Sequence, residues 1–80
     1  MKGTYGSMVE AMEQEAMLRQ LVRDTRVGLH LTAAEVASRM GLSRPFYTQL
    51  EGGTRRMSMY YFLAACSAMR MKPADVMEGL

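Results

Sequence analysis

Apolar residues in this chain recur at intervals of three and four, and no segment shows the strict two-residue alternation of a half-buried strand. That spacing predicts an all-α chain. From Met8 to Val27 there is no Pro or Gly, and Met8, Met12, Leu18, Leu21, Val22 and Thr25 make an apolar face that is less regular in its first half. Gly28 is the expected stop signal. The pattern then predicts a second helix over Thr32 to Met40, a third from Ser43 to about Glu51 and a fourth from Met59 to about Arg70. Lys72-Pro73 opens a last short helix, with proline at its favoured first position. Residues 1–7, MKGTYGS, have no periodicity and are expected to be a flexible lead-in. Residues 8–80 are expected to form one compact domain of five helices.

The polar residues between these segments carry helix-end chemistry. Thr32 is an N-cap, and Glu35 three residues later completes a T-x-x-E capping box. Val36, Ala37 and Met40 follow at helical spacing, and Gly41 supplies the left-handed residue that ends the helix. Ser43 caps the third helix and Ser58 the fourth. Gly52 and Gly53 terminate the third, and Thr54, Arg55 and Arg56 form the loop after it. Two short capped helices joined by a glycine turn, at residues 32–51, are the most informative part of the chain.

On a wheel of about 100° per residue, Arg44, Pro45, Thr48 and Gln49 fall on one arc of the third helix. Tyr47 and Leu50 lie opposite, with Glu51 near Tyr47 and Phe46 at the border beside Leu50. One face packs and the other projects. The projecting arginine can pair with a guanine edge and the glutamine with an adenine edge. Pro45 sits in the first turn, where it need not break the helix, and any contact it makes with a base is apolar. Phe46 either meets a thymine methyl or leans on the core, and the core is favoured.

The fourth helix has no charged residue between Arg56 and Arg70. Met59, Phe62, Leu63, Cys66 and Met69 form its expected inward stripe, leaving Tyr60, Tyr61, Ala64, Ser67 and Ala68 to face elsewhere. A helix apolar nearly all round is covered on both sides. The cover is either the N-terminal extension or a second copy of the protein. The chain has ten methionines. Met40, Met59 and Met69 are assigned to core filling, whereas Met8, Met12 and Met17 can make an adhesive helix face.

Eighty residues with a net charge of +2 make charge alone a poor indicator of partner. Its distribution is more telling. Glu10, Glu13 and Glu15 make the N-terminal part acidic; Arg39, Arg44, Arg55 and Arg56 make the middle basic, opposed there only by Glu51. A basic face suits phosphates. No apolar run is long enough to span a bilayer, and the early glutamates argue against a secretory leader. The single cysteine, Cys66, lies in an apolar segment and is expected to be a small buried hydrophobe, consistent with an intracellular chain. Ser43 and Ser58 are explained by capping, and no acid–base–nucleophile constellation surrounds them, so an enzyme is not expected. Gly52-Gly53 is followed by Thr-Arg-Arg, unlike a phosphate-cradling glycine loop, and nothing calls for a cofactor, a metal or a small-molecule ligand.

The segment from Leu31 to Met77 resembles the Cro and lambda-repressor type of helix-turn-helix domain, also called the xenobiotic-response-element family. The resemblance rests on Leu31-Thr32, Glu35, Ala37, Gly41-Leu42-Ser43-Arg44, Leu50-Glu51, Gly53, Arg55, Ser58 and Pro73. It implies a five-helix lambda-repressor-like domain with an extended first helix. It implies that the third helix enters the major groove of double-stranded DNA, with base contacts from Arg44, Pro45, Thr48 and Gln49. Phosphate contacts are implied for Thr32, Ser43, Thr54, Arg55 and Arg56, and a structural ion pair for Arg26 and Glu51. Three residues depart from the family pattern: Ala33 replaces a glutamine that helps hold a phosphate, His30 stands where glycine is common, and Met57 where proline is common.

The function expected from the resemblance is a transcriptional regulator of bacterial or phage type in the cytoplasm, associated with the nucleoid. A homodimer on a palindromic operator is expected, with Tyr60, Tyr61, Val76, Met77 and Leu80 as interface candidates. Repression is the default, while the acidic patch leaves contact with RNA polymerase and activation open. The alternative is a protein-interaction module, antiactivator-like or antitoxin-like, that kept the fold without DNA reading.

Overall fold

The computed structural model describes residues 6–78, and the described residues form five α-helices and no strand. They are α1 (Ser7–Gly28), α2 (Ala33–Met40), α3 (Arg44–Gly52), α4 (Met59–Ala68) and α5 (Pro73–Met77). The order is the one expected from the spacing. The lead-in at 1–7 needs correction at its end. Gly6 is the extended N-cap of α1 and Ser7 is already helical, because nothing from Ser7 onward interrupts the run of helix formers. Residues 1–5 and Leu80, an interface candidate, lie outside the described residues. No described helix is long and apolar enough to cross a membrane.

Helix starts follow the polar residues. Thr32 accepts the Glu35 N–H at 3.1 Å while Glu35 accepts the Thr32 N–H at 2.8 Å, a complete capping box. Ser43 accepts the Phe46 N–H at 3.2 Å, and Pro45 sits in the first turn of α3. Ser58 accepts the Tyr61 N–H at 3.3 Å.

Three helices end in the same double hydrogen bond. Leu31, Leu42 and Met71 donate their N–H to Arg26, Ala37 and Cys66, and the residue before each donates to Val27, Ser38 and Ser67. This geometry places one left-handed residue before each apolar residue, which then turns back onto the core. Those left-handed residues are His30 (φ 60), Gly41 (φ 77) and Arg70 (φ 57). Gly28 is therefore the last residue of α1, and the left-handed turn falls on His30 instead.

The core draws on every helix: Leu21 and Val22, Val36 and Ala37, Tyr47 and Leu50, Phe62 with Ala65 and Cys66, and Val76. α1 packs on α3, α4 and α5, and α2 packs on α3 and α4. Two expectations for α4 are corrected. Met59 and Leu63 are exposed, whereas Ala65 and Ala68 are buried. The buried stripe is Phe62, Ala65, Cys66 and Met69, and Leu63 lies one residue round from it. Met57, which precedes α4 where proline is common in the resembled family, is buried. Val76 is 3% exposed, so it is a core residue and not a free interface candidate. Met77 is half-buried against the same core.

One polar cluster is built into the packing. Arg26, in the last turn of α1, donates from Nε and Nη2 to the two carboxylate oxygens of Glu51, both at 2.9 Å. Its Nη1 donates to the Leu31 carbonyl at 2.9 Å, and the Tyr47 hydroxyl donates to Glu51. The Arg26 and Glu51 side chains are only 16% and 12% exposed. Burial alone would raise the Glu51 carboxyl, but the Arg26 guanidinium and the Tyr47 hydroxyl outweigh it and hold the group below its ordinary value of 4.5. Burial, reinforced by Glu51, pushes the Tyr47 phenol far above its ordinary range.

Removing one partner leaves the other desolvated and unpaired. Arg26→Ala is expected to destabilise the protein by about 3 kcal/mol in urea unfolding; a loss below about 1 kcal/mol would match an ordinary surface pair instead. Because Glu51 is depressed in the folded state, its contribution is present above pH 4.5 and disappears as pH falls through its folded value. The deficit of Arg26→Ala relative to the natural chain should therefore shrink on acidification below pH 4.5. His30 generates a second prediction. Glycine there would relieve about 1–2 kcal/mol of left-handed strain and cost about 0.5–1 kcal/mol of chain entropy. His30→Gly should thus raise the thermal midpoint, by the equivalent of about 0.5–1 kcal/mol.

Candidate nucleic-acid interface

The third helix has two chemically distinct sides. Tyr47 and Leu50 are fully buried, whereas Arg44, Pro45, Thr48 and Gln49 are exposed, as the wheel predicts. Phe46 is half-buried at the border, and its ring meets Tyr61 of α4 with centroids 5.7 Å apart. The only carboxylate of the helix, Glu51, is turned into Arg26. The outward side is therefore cationic and polar.

Individual side chains on that side differ in what they have free. Arg44 lies at the first helical position and is exposed, with its guanidinium open to solvent. The Thr48 hydroxyl donates to the Pro45 carbonyl at 3.0 Å, so its proton is used within the helix while its oxygen can still accept. Gln49 is not free. Its side-chain oxygen accepts from Arg55 Nε at 2.7 Å. The Arg55 guanidinium carbon lies 4.1 Å from the Phe46 ring centroid, a cation–π contact.

The loop after α3 folds back on the same residue. Gly53 and Arg55 donate their N–H groups to the Gln49 carbonyl at 3.0 and 3.1 Å, and the Thr54 hydroxyl approaches it at 3.5 Å. Gly53 has φ 92, and a Cβ there would meet Arg19 Nε at 3.3 Å. The left-handed backbone favours glycine, and a larger residue would also displace the Arg19 guanidinium by a few tenths of an ångström.

Arg56, expected in a phosphate role, is held by α1. Its Nη2 lies 2.9 Å from Glu15 Oε2, and Glu15 also accepts the Met57 N–H at 2.9 Å. Arg19 lies 3.8 Å from Glu15 one helical turn on. The Arg56 hydrogen bond, with its charge and the Met57 amide, draws the Glu15 carboxyl below its ordinary range against the opposing effect of burial. Glu15 is thus engaged by the loop, apart from the acidic group expected of it with Glu10 and Glu13. Met8 and Met12 lie at the same place, lining an open pocket of about 320 Å³ with Glu15, Arg19 and residues 53–56. Thr32 and Ser43 use their hydroxyl oxygens as cap acceptors and keep their hydroxyl protons as donors.

The remaining expected residues are spread over other surfaces. Tyr60 is 75% exposed and stacks edge-on against half-buried Tyr61 at 5.3 Å. Met59, Tyr60 and Leu63 together form an exposed apolar patch on α4. The Glu15–Arg56 and Arg55–Gln49 contacts escape sequence reasoning. The first joins residues 41 apart, and the second depends on how the Gly52-Gly53 turn aims the loop.

The Met57 amide gives a direct probe of the Glu15 contact. Its hydrogen exchange should accelerate in Glu15→Ala and stay close to natural in Glu15→Gln, whose amide oxygen still accepts. Equal exchange in all three proteins would remove Glu15 as the acceptor. No protein-family model, curated protein or solved structure was found to match the chain.

Proposed function

We propose that the protein is a sequence-specific double-stranded DNA-binding regulator of lambda-repressor-like architecture, with α3 as its groove-reading helix. The observation that carries this reading is the division of α3. Its packing face is fully buried and its carboxylate neutralised, while Arg44, Thr48 and Gln49 project beside Arg55. Arginine and glutamine are the side chains that discriminate base edges, and a capped helix N-terminus next to them suits a phosphate. Base contacts fall to Arg44, Pro45, Thr48 and Gln49, and phosphate contacts to Thr32, Ser43, Thr54, Arg55 and Arg56. A cytoplasmic, nucleoid-associated repressor is the simplest form of the activity. Its operator would be a palindrome bound by a homodimer.

The exposed patch of Met59, Tyr60 and Leu63 supports pairing of two copies through α4. Tyr60 is the anchor of that surface, and Tyr61 supports it from beneath. Val76 contributes through the core and not as a contact.

The Glu15–Arg56 pair favours a second reading, a protein-interaction module of the same fold. It places a carboxylate on a cation that a DNA-binding loop would offer to phosphate.

Fluorescence anisotropy with a genomic duplex pool separates the two. A DNA reader loses affinity steeply with salt. Arg44→Ala should relax preference at one base position and cost about 1–3 kcal/mol on the best site. Glu15→Ala, by removing the carboxylate that holds Arg56, should steepen the salt slope by about one unit. Salt-insensitive binding, or none, would favour the interaction module.

A further inference from the structure

We infer that Arg55 is a positioning residue that turns the Gln49 side-chain amide so that it presents donors, directing it to an acceptor-only base edge, guanine in preference to adenine. The inference rests on the DNA-reading function proposed for α3.

The chemistry of the contact fixes which end of the amide faces Arg55. A guanidinium has only donors, so the atom 2.7 Å from Arg55 Nε must be the glutamine oxygen. The NH2 group then points away from the loop, on the exposed side that carries Arg44 and Thr48. A glutamine reads adenine by accepting from the adenine amino group and donating to N7. Here the oxygen faces the loop with one of its two lone pairs held by Arg55. The atoms of the amide turned away from the loop are its pair of N–H donors. Guanine offers two acceptors, N7 and O6, on its major-groove edge, whereas adenine offers one beside a donor.

Arg55 is itself held from two sides. Its N–H donates to the Gln49 backbone carbonyl at 3.1 Å, and its guanidinium lies against the Phe46 ring at 4.1 Å. Main chain, stacked ring and side-chain hydrogen bond therefore restrict one arginine in one orientation. A planar guanidinium on a ring retains its geometry in a way that a lysine ammonium does not. Gln49 is restrained in turn before any ligand arrives.

Selection from a randomised duplex pool tests this with the natural chain, Gln49→Ala and Arg55→Met. Gln49→Ala identifies the base position that Gln49 reads, because preference there alone should flatten. At that position the natural chain should select guanine over adenine by about fivefold or more. Arg55→Met keeps an unbranched, flexible side chain, shorter than arginine, and removes its donors and its charge. It should lower the salt slope by about one unit through loss of the phosphate contact proposed for Arg55. If Arg55 positions Gln49, the variant should in addition shift preference at that position from guanine towards adenine. Selection of adenine by the natural chain, or a uniform loss of affinity in Arg55→Met with the base preference intact, would overturn the inference and leave DNA reading standing. Absence of salt-sensitive duplex binding by the natural chain would overturn both.

Discussion

The bidentate pair between Arg26 and Glu51 is the constraint from which the rest of the arrangement follows. Arg26 closes the last turn of α1, reaches the Leu31 carbonyl in the link to α2, and holds the end of α3 through Glu51. Tyr47 joins from beneath with its hydroxyl on the same carboxylate. A single guanidinium thus ties three segments that hydrophobic contact alone would leave free to slide. Burial makes the arrangement demanding, since each charge is tolerated only while the other is in place. It also has an electrostatic consequence at the surface. The pairing takes the one carboxylate of α3 out of the outward field, so the side that bears Arg44 and Gln49 is left without a negative charge of its own helix.

The loop at residues 53–56 is the second organising point. Gly53 lets the chain turn left-handed and pass under Arg19. From there the two following arginines go in opposite directions. Arg55 lies back along α3 on Phe46 and Gln49, while Arg56 reaches out to Glu15 on α1. Adjacent residues of one charge therefore have different work: one shapes the exposed helix face, and the other secures the long first helix to the loop. The exposed methionines Met8 and Met12 sit above that junction, where α1 runs past the main core. Helix ends complete the frame. Leu31, Leu42 and Met71 are returned to the core by the same left-handed turn, although only one of the three turns uses glycine.

Much of the architecture is written locally in the chain. Thr32 with Glu35, Ser43 and Ser58 determine where three helices start, because a side-chain oxygen must satisfy amides that have no partner within the helix. The spacing of Tyr47 and Leu50 against Arg44, Thr48 and Gln49 determines which side of α3 packs, because side chains a helical turn apart share a face. Tertiary structure decided what spacing does not encode. It chose Ala65 and Ala68 over Met59 and Leu63 as the buried side of α4, since a helix apolar all round has no preferred face until its neighbours supply one. It put Val76 in the core and the left-handed turn on His30. It also joined Glu15 to Arg56 and Arg55 to Gln49, because pairing between charged side chains depends on distances that only the packed helices create.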